Sequence, residues 1–384
     1  MQYFVWFLIR GKEEDMNKNI IYPDYNNSIA NLANSILKKW GLPTNGGTLK
    51  FLDRYLDKDY KNVVVILLDG MGKCIIERNL EENGFFNTHL ARTYSSTFPP
   101  TTVAATTSIN NGLTPSQHGW LGWDCYFPQI DRNVTVFLNT DTESGEKVAE
   151  ESVAWKYCGY SSVINRINSS GGKAYYVTPF EEPHPETFEE SCELIKKYCE
   201  EPGKKYIYCY CNEPDYTMHL TGCYSDESKK VISSLERRIE SLTAELKDTL
   251  VIVTADHGHM DSKGVCIKNY PRIMDCLKRI PTIEPRALNL FVKEDRRDEF
   301  EKEFTKEFGD KFLLLPKEKV LEMKLFGCGT EHKDFRDMLG DYLAVATDDL
   351  SIFNTEEEAG QFIGVHAGLT KDEMIIPLII VEKK

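Results

Sequence analysis

The chain has 384 residues, of which 41% are hydrophobic and 28% are charged, a balance typical of a globular protein with a sizeable core. Its 46 Lys and Arg residues are outnumbered by 60 Asp and Glu residues, so the net charge is −14. This charge argues against a nucleic-acid duplex or an anionic membrane as the main partner. A small anionic substrate would therefore need a local positive charge, which a bound divalent metal ion supplies.

The 11 cysteines are scattered along the chain without a C-x-x-C pair or a metal-ligand spacing. This pattern is typical of reduced thiols, so we predict a cytoplasmic protein. Near the N-terminus, the apolar run at residues 3–9 lacks a basic leader and a small-residue cleavage site, and it is too short to span a bilayer. We interpret residues 1–16 as an N-terminal extension or a buried strand, and we predict neither a signal peptide nor a membrane span.

The first predicted elements of the folded domain are a helix and a strand. Residues 28–40, SIANLANSILKKW, carry Ile29, Leu32 and Ile36 on one face, which predicts an amphipathic helix. Residues 62–68, NVVVILL, form an apolar run typical of a strand that is buried on both faces of a parallel sheet. Asp69 follows this strand directly, at the place where open α/β sheets bind ligands.

The segment at residues 93–112, TYSSTFPPTTVAATTSINNG, predicts a helix with a reactive hydroxyl at its start. Pro100 keeps Pro99 extended, small residues follow, and Asn-Asn-Gly ends the helix. We expect Thr97 to face the free N–H groups of the first turn, where a phosphate or sulfate is readily held. Taken alone, the segment favours an ordinary capped core helix. The acidic and His residues downstream change that interpretation.

The middle of the chain alternates strands and helices. We predict strands at 174–177, 206–211 and 249–254 and helices at 186–198 and 227–246. This alternation predicts an α/β fold with a mostly parallel central sheet flanked by helices. Acidic or His residues follow three of the strands, in VVVILLDG, YIYCYCNEPDYTMH and TLVIVTADHGH. We therefore expect these polar residues to meet at one edge of the sheet.

The polar residues at this edge are of the kinds that bind metal ions. Asp215 and His219 are one helical turn apart, so both can reach one ion. Each residue also has an ordinary explanation when it is taken alone, as a helix cap, a turn residue or a solvated polar side chain. Nitrogen and oxygen ligands of this type suit zinc, with manganese or another divalent ion as the alternative. The predicted metal ligands are Asp69, Thr97, Asp215, His219, Asp256, His257 and His366.

The character of the sequence changes near residue 269. The stretches ALNLFV and KFLLL predict strands, and each is followed by a charged helical segment. We predict a small inserted α+β cap subdomain at residues 269–347. The catalytic domain would then consist of residues 17–268 and 348–384.

Five motifs, VVVILLDGMG, STFPPTT, EPDYTMH, TADHGHMD and GVHAGLT, occur in an order that resembles the alkaline phosphatase superfamily. More narrowly, the chain resembles the type I phosphodiesterase/nucleotide pyrophosphatase branch. The resemblance implies an alkaline phosphatase-like fold and a two-zinc hydrolase in which Thr97 forms a covalent phosphoryl or nucleotidyl intermediate. It implies one zinc ion bound by Asp69, Thr97, Asp256 and His257, and the other bound by Asp215, His219 and His366.

The resemblance also suggests which residues contact the substrate. Relatives carry an Asn shortly after the HG motif, where it helps to hold a phosphate oxygen, but HGWLGWD places Trp123 there in this chain. Phe98 is expected to stack on a base, and Trp123 and Tyr216 are expected to line the pocket; packing in the core is the alternative for each. His259 and Asp261 are expected to support the ligands or to lie in a solvated loop.

We therefore predict a two-zinc phosphodiesterase or nucleotide pyrophosphatase that acts on a small, nucleotide-like phosphate ester. A phosphomonoesterase with the same nucleophile is the alternative, and Lys73 is then a candidate for binding the extra charge of a monoester. A sulfatase or phosphonate hydrolase is a weaker alternative. A metal-binding protein without turnover is the alternative from a different class.

Overall fold

The computed structural model describes residues 19–384, and the extension predicted at residues 1–16 lies outside them. In chain order, the strands are β1 (Asn62–Leu68), β2 (Leu90–Ser95), β3 (Asp124–Phe127), β4 (Arg132–Thr135), β5 (Thr140–Asp141), β6 (Ala174–Val177), β7 (Lys205–Cys211), β8 (Thr249–Thr254), β9 (Met260–Asp261), β10 (Lys263–Cys266), β11 (Thr282–Glu284), β12 (Ala287–Leu290), β13 (Phe312–Pro316), β14 (Tyr342–Ala346), β15 (Leu350–Phe353), β16 (Gly364–Val365) and β17 (Ile375–Lys383).

The helices connect these strands, and two short 3-10 segments, Ile267–Asn269 and Glu294–Arg296, accompany them. In chain order, the α-helices are α1 (Ile29–Lys39), α2 (Lys50–Leu56), α3 (Lys73–Asn79), α4 (Phe85–His89), α5 (Thr102–Asn111), α6 (Pro115–His118), α7 (Val153–Cys158), α8 (Val163–Ser169), α9 (Phe188–Glu200), α10 (Asp215–Thr221), α11 (Asp226–Glu245), α12 (Pro271–Met274), α13 (Arg297–Phe308), α14 (Lys317–Glu322), α15 (Phe335–Met338), α16 (Glu356–Gln361) and α17 (Lys371–Met374). In residues 19–384, no helix is both long enough and apolar enough to cross a membrane.

The central sheet has six strands in the order β2-β17-β8-β1-β7-β6. β1 pairs in parallel with β7 and β8, and β6 pairs in parallel with β7, whereas β17 runs antiparallel between β8 and β2. The predicted mostly parallel sheet flanked by helices is therefore confirmed. All seven residues of β1 are buried, as its continuous apolar sequence predicts.

The strand register brings the predicted strand ends together. In β1, Leu68 lies opposite Cys211 of β7, and the neighbouring Leu67 lies opposite Thr254 of β8. The loops that follow these three strands therefore leave the sheet at the same edge. A short antiparallel pair, β9 with β16, brings the loop that carries His366 to this edge as well.

A second sheet has seven strands in the order β13-β14-β12-β11-β3-β4-β5, and its recorded pairings are antiparallel. Its strands β3 to β5 come from residues 124–141, which the sequence analysis placed in the catalytic domain. β3 joins the sheet through the pairing of Asp124 with Ile283. The division into a catalytic domain and a cap at residues 269–347 stays a prediction, but this sheet includes residues from both.

Candidate active site

The backbone joins the ends of β1 and β7 to the start of α10. The Asp69 N–H donates to the Cys211 carbonyl oxygen at 2.9 Å, and the Asp215 N–H donates to the Asp69 carbonyl oxygen at 3.1 Å. These two bonds continue the parallel pairing past the strands and place both carboxylates at the sheet edge. Tyr210 adds a hydrogen bond from its hydroxyl to Asp69 Oδ2 at 2.5 Å, which fixes the orientation of that carboxylate.

Asp215 is the centre of one polar cluster. Its Oδ1 lies 2.8 Å from His259 Nε2 and 3.9 Å from His366 Nε2, and its Oδ2 lies 3.3 Å from His219 Nε2. One ligand atom from each of these four residues lies within 4.8 Å of the others, a spacing that one metal ion can bridge. The structure thus brings together Asp215, His219 and His366, as the resemblance implies, and adds His259.

A second cluster adjoins the first and contains Asp69, Asp215 and His257. His257 Nε2 lies 3.2 Å from Asp69 Oδ1 and 3.6 Å from Asp256 Oδ2. The His257 ring stacks on the His366 ring with centroids 3.9 Å apart. The two candidate ion sites are therefore immediate neighbours that share Asp215.

Hydrogen bonds orient three of the imidazole rings towards the clusters. In each ring, Nδ1 lies within hydrogen-bond distance of a backbone carbonyl oxygen, so Nδ1 carries a proton and Nε2 faces the cluster. A metal ion would therefore bind these rings through Nε2. The pairs are His219 with Gly364 at 2.7 Å, His257 with Gly258 at 3.0 Å and His366 with Pro100 at 3.2 Å.

Asp256 provides the most direct test of whether a cation fits. Its Oδ1 accepts hydrogen bonds from the N–H groups of Gly70 and His257, but its Oδ2 is buried without a hydrogen-bond partner among the described residues. Burial, together with the charge of Asp69, raises the pKa of the Asp256 carboxyl well above its usual range. A buried carboxylate oxygen with no donor is costly, and a divalent cation would satisfy it. The residues present therefore fit a bound metal ion.

The pKa of His257 also indicates a strongly negative site. Burial lowers the pKa of this imidazole, but the carboxylates of Asp256 and Asp69 outweigh that effect and raise it to about 10. Without an ion, a proton on His257 would supply the positive charge that these carboxylates require. A metal ion would displace that proton and leave Nε2 as a ligand.

Two threonines differ in their positions relative to this site. Thr97 is completely buried, and its hydroxyl donates to the Pro99 carbonyl oxygen at 3.2 Å. Thr102, the first residue of α5, instead places Oγ1 3.3 Å from Asp69 Oδ2 and 3.3 Å from His257 Nε2. Thr97 does not occupy the helix start, because the helix begins five residues later. This geometry does not support the prediction of Thr97 as nucleophile and metal ligand, because the hydroxyl that lies beside Asp69 and His257 is that of Thr102.

The predicted substrate-contacting residues differ in their positions. Phe98 is completely buried and packs edge-on against Phe326 with ring centroids 5.2 Å apart. This position agrees with the alternative of a core residue, and Phe98 is not among the residues that line the cavity beside the clusters. Trp123 and Tyr216 line a cavity of about 450 Å³ beside the clusters, with 43% and 60% of their surfaces exposed.

Glu284, at the end of β11, lines the same cavity and was not recognised in the sequence. Its Oε1 accepts hydrogen bonds from Thr101 Oγ1 at 2.5 Å and from the Trp123 N–H at 2.9 Å. Burial raises the pKa of the Glu284 carboxyl to about 7. A carboxyl group therefore lies beside Trp123, which stands where the resemblance implies an Asn that helps to hold a phosphate oxygen.

His259 was assigned only a supporting or solvated role, and the structure shows it completely buried beside Asp215. Its Nδ1 lies 3.6 Å from Cys223 Sγ. A Cβ added to Gly258 would lie 1.9 Å from the Asp372 carbonyl oxygen, so only glycine fits between the two histidines. The sequence DHGH could have indicated the role of His259, because Gly258 allows the histidines on either side of it to point towards the clusters. Asp261 is exposed and accepts a hydrogen bond from the Cys223 N–H at 2.7 Å.

Comparison with known proteins gives a family and several similar folds. Residues 63–368 match the family model for type I phosphodiesterase / nucleotide pyrophosphatase. No curated protein matches the chain. Murine ectonucleotide pyrophosphatase / phosphodiesterase 5 has a TM-score of 0.64 at 16% identity, covering 82% of this chain and 87% of its own. An inactive form of that murine protein, in complex with AMP, has the same TM-score and identity and covers 84% and 87%.

A bacterial structure is similar to a comparable extent. Phosphonoacetate hydrolase from Sinorhizobium meliloti 1021, in complex with phosphonoformate, has a TM-score of 0.61 at 15% identity, covering 84% of this chain and 90% of its own. At these identities, the similarity establishes the fold. Because the family match extends over most of the chain, the protein belongs to the type I phosphodiesterase/nucleotide pyrophosphatase family of the alkaline phosphatase superfamily.

Proposed function

We propose that the protein is a two-zinc phosphodiesterase that hydrolyses a phosphodiester or pyrophosphate bond in a small, nucleotide-like ester, with Thr102 as the nucleophile. The observation that carries this proposal is the Thr102 hydroxyl, which lies 3.3 Å from both a carboxylate oxygen of Asp69 and Nε2 of His257 at the mouth of the cavity. Family membership supports hydrolysis of phosphate esters.

The two clusters would hold the two ions. His259 would remain outside the coordination sphere, because its Nε2 is placed to donate to Asp215 Oδ1 and so to orient that ligand. When bound, zinc would lower the pKa of the threonine hydroxyl and balance the charge of the phosphoryl oxygens. One ion would be held by Asp215, His219 and His366, and the other by Asp69, Thr102, Asp256 and His257.

The protein's own groups would perform the remaining tasks. The first turn of α5 has free backbone N–H groups and the positive end of the helix dipole, which favour a phosphate at Thr102. Asp69 accepts from the Thr102 hydroxyl and is held in place by Tyr210, so the threonine lone pair is directed away from Asp69 and towards the cavity. A bond from Oγ1 to phosphorus would form as the hydroxyl proton passes to Asp69 and the bond to the leaving group breaks. Water would then cleave the phosphoryl-threonine ester and restore the Thr102 hydroxyl.

The nucleotide-like character of the substrate rests on two observations. An inactive form of the murine relative is in complex with AMP. In this chain, the exposed rings of Trp123 and Tyr216 line the cavity beside Thr102, where they could stack on a base. We propose the cytoplasm as the location of the protein, since all 11 cysteines are free.

The alternative of a phosphomonoesterase has less support. Lys73, the candidate for binding the extra charge, is ion-paired with Glu77 on α3 and is not among the cavity-lining residues. Among the described residues, no Lys or Arg lines the cavity. A binding protein without turnover is also less favoured, because the polar clusters are intact.

The test compares two threonine variants. With zinc supplied, Thr102→Ala should lower kcat/KM for bis(p-nitrophenyl) phosphate by at least about 10³-fold, because a nucleophile is lost. The matched control is Thr97→Val, which keeps the approximate side-chain volume and removes the hydroxyl that donates to the Pro99 carbonyl oxygen. This variant should retain activity within about threefold. Loss of activity in Thr97→Val with little change in Thr102→Ala would contradict the assignment.

A further inference from the structure

Outside the metal clusters, the carboxyl group of Glu284 lines the cavity. No Lys or Arg of the described residues lines it, yet the cavity is proposed to receive an anion. A substrate with two negative charges on its phosphoryl group would be repelled more strongly than one with a single charge. Glu284 is therefore placed to decide which phosphate esters enter.

Two hydrogen bonds hold the Glu284 carboxyl in position. Oε1 accepts from Thr101, the residue that caps α5 immediately before Thr102, and from the backbone N–H of Trp123. The carboxyl group is therefore fixed beside the start of α5.

The backbone next to Glu284 is also tightly constrained. Ile283 has φ of +78°, which a β-branched residue rarely adopts. A Cβ added to Gly122 would lie 2.8 Å from the Ile283 carbonyl oxygen, so the loop before β3 packs directly on this segment. This packing therefore fixes the backbone position from which Glu284 extends.

Other acidic residues of the cavity add to the negative charge of Glu284. Asp124 and Glu358 also line it, and the charge of Asp124 acts on the Glu284 carboxyl. Thr101, which donates to Glu284 Oε1, immediately precedes Thr102, so Glu284 lies close to the proposed phosphoryl site. Exposed aromatic surface from Trp123 and Tyr216 lies on the same walls. Carboxylates beside aromatic rings suit neutral or cationic groups.

We infer that Glu284 acts as a charge filter: it admits singly charged phosphodiesters whose second substituent is neutral or cationic and disfavours doubly charged phosphate monoesters. This inference rests on the proposed phosphodiesterase function and adds to it the charge of the substrate. Of the two bonds in that proposal it favours the phosphodiester, because a pyrophosphate carries a negative charge on each phosphoryl group. A phosphodiester places one negative charge near Glu284, whereas a monoester above neutral pH places two. The role of Glu284 is to determine specificity rather than to react.

The first test compares two substrates in two variants. At about pH 8.5 with zinc, the ratio of kcat/KM for p-nitrophenyl phosphate to that for bis(p-nitrophenyl) phosphate is measured in the wild type, in Glu284→Gln and in Glu77→Gln. Glu284→Gln should raise this ratio by about tenfold, because one repelling charge is removed. Glu77→Gln removes the same charge from an exposed position on α3 and should leave the ratio unchanged. An unchanged ratio in active Glu284→Gln would overturn the inference.

The second test uses the wild type alone and does not depend on the folding of a variant. It compares p-nitrophenyl phosphorylcholine with p-nitrophenyl 3,3-dimethylbutyl phosphate, in which carbon replaces the quaternary nitrogen. The cationic ester should have a kcat/KM about five- to tenfold higher, because the two substrates differ only in charge. Equal rates or a preference for the neutral ester would count against an acidic filter.

The outcomes separate this inference from the function on which it rests. If the wild type hydrolyses diesters but neither comparison shows a charge effect, the filter is wrong and the phosphodiesterase proposal stands. If zinc-loaded wild type hydrolyses none of these esters, the proposed function is wrong and the inference is withdrawn with it.

Discussion

At the scale of single residues, Thr97 and Thr102 show how position within a helix start determines chemical role. Both precede a run of small residues, and both carry the same hydroxyl group. Only Thr102 lies in the first turn, where N–H groups remain unpaired and the side chain reaches Asp69. Thr97 turns its hydroxyl onto the Pro99 carbonyl oxygen and is completely buried. The Thr102 hydroxyl, which lines the cavity, is therefore the one that a bound substrate can contact.

His118 illustrates a residue-scale effect away from the metal clusters. The ring is buried, its Nδ1 accepts from the Trp120 N–H at 3.0 Å, and its Nε2 lies 3.0 Å from Ser108 Oγ. This arrangement requires a neutral ring. Burial lowers the pKa of His118 to about 3, well below the value of about 6.5 for an unfolded chain.

We predict a pH-dependent loss of stability from His118. Between pH 6.5 and pH 3 the unfolded state binds a proton that the folded state does not, so the free energy of unfolding falls as the pH is lowered. From about pH 7.5 to about pH 5.5, urea unfolding of the wild type should lose about 1.4 kcal/mol more than that of His118→Gln. The comparison is made at one zinc concentration, so that the other histidines contribute equally. Equal losses in the two proteins would show that His118 is not responsible.

At the scale of elements, a buried ion pair joins β12 to α17. Arg286, just before β12, donates from Nε and Nη2 to the two carboxylate oxygens of Glu373 at 2.6 Å and 2.9 Å, and neither residue is exposed. Glu373 Oε1 also accepts from the Gly368 N–H at 2.7 Å. Gly368 lies two residues after His366, so this pair supports the loop that carries a candidate metal ligand.

Replacing one residue of this ion pair should lower the free energy of unfolding more than replacing both. Arg286→Met leaves the Glu373 carboxylate buried without its cation and should lower the free energy of unfolding by about 3–5 kcal/mol. The double variant Arg286→Met with Glu373→Gln should recover part of this loss, because no uncompensated charge remains. Urea denaturation measures both. A single variant as stable as the wild type would contradict this role of the pair.

At the scale of the whole molecule, the candidate site combines parts of both sheets. The proposed metal ligands follow strands of the central sheet, lie in α5 and α10 or follow β16. Trp123 and Glu284, in contrast, adjoin or belong to strands of the second sheet. The site concentrates buried carboxylates in a protein with a net charge of −14. Metal ions should therefore stabilise the folded protein as well as support its chemistry.

Removal of metal should lower the melting temperature. Zinc at a free concentration 100 times its Kd adds about 2.7 kcal/mol of stability, and calorimetry after chelation and after zinc addition should show a difference of several degrees. His366→Ala, which lacks one proposed ligand, should show a smaller shift on zinc addition. Identical melting temperatures with and without zinc would indicate that the clusters do not hold it.

The sequence by itself determined the features that depend on neighbouring residues. Continuous apolar runs predicted β1, β7 and β8, and the polar residues after them predicted one shared edge, because parallel strands end on the same side of a sheet. The ordered motifs indicated the family. These signals are local, so a single chain is enough to read them.

Only the tertiary structure decided which side chains meet. It placed Thr102 rather than Thr97 in the site, buried Phe98 against Phe326 and brought Glu284 to the start of α5. It also joined β3, β4 and β5 to strands that lie more than a hundred residues further along the chain. Each of these outcomes depends on packing between segments distant in sequence, and neither local propensity nor motif spacing contains that information.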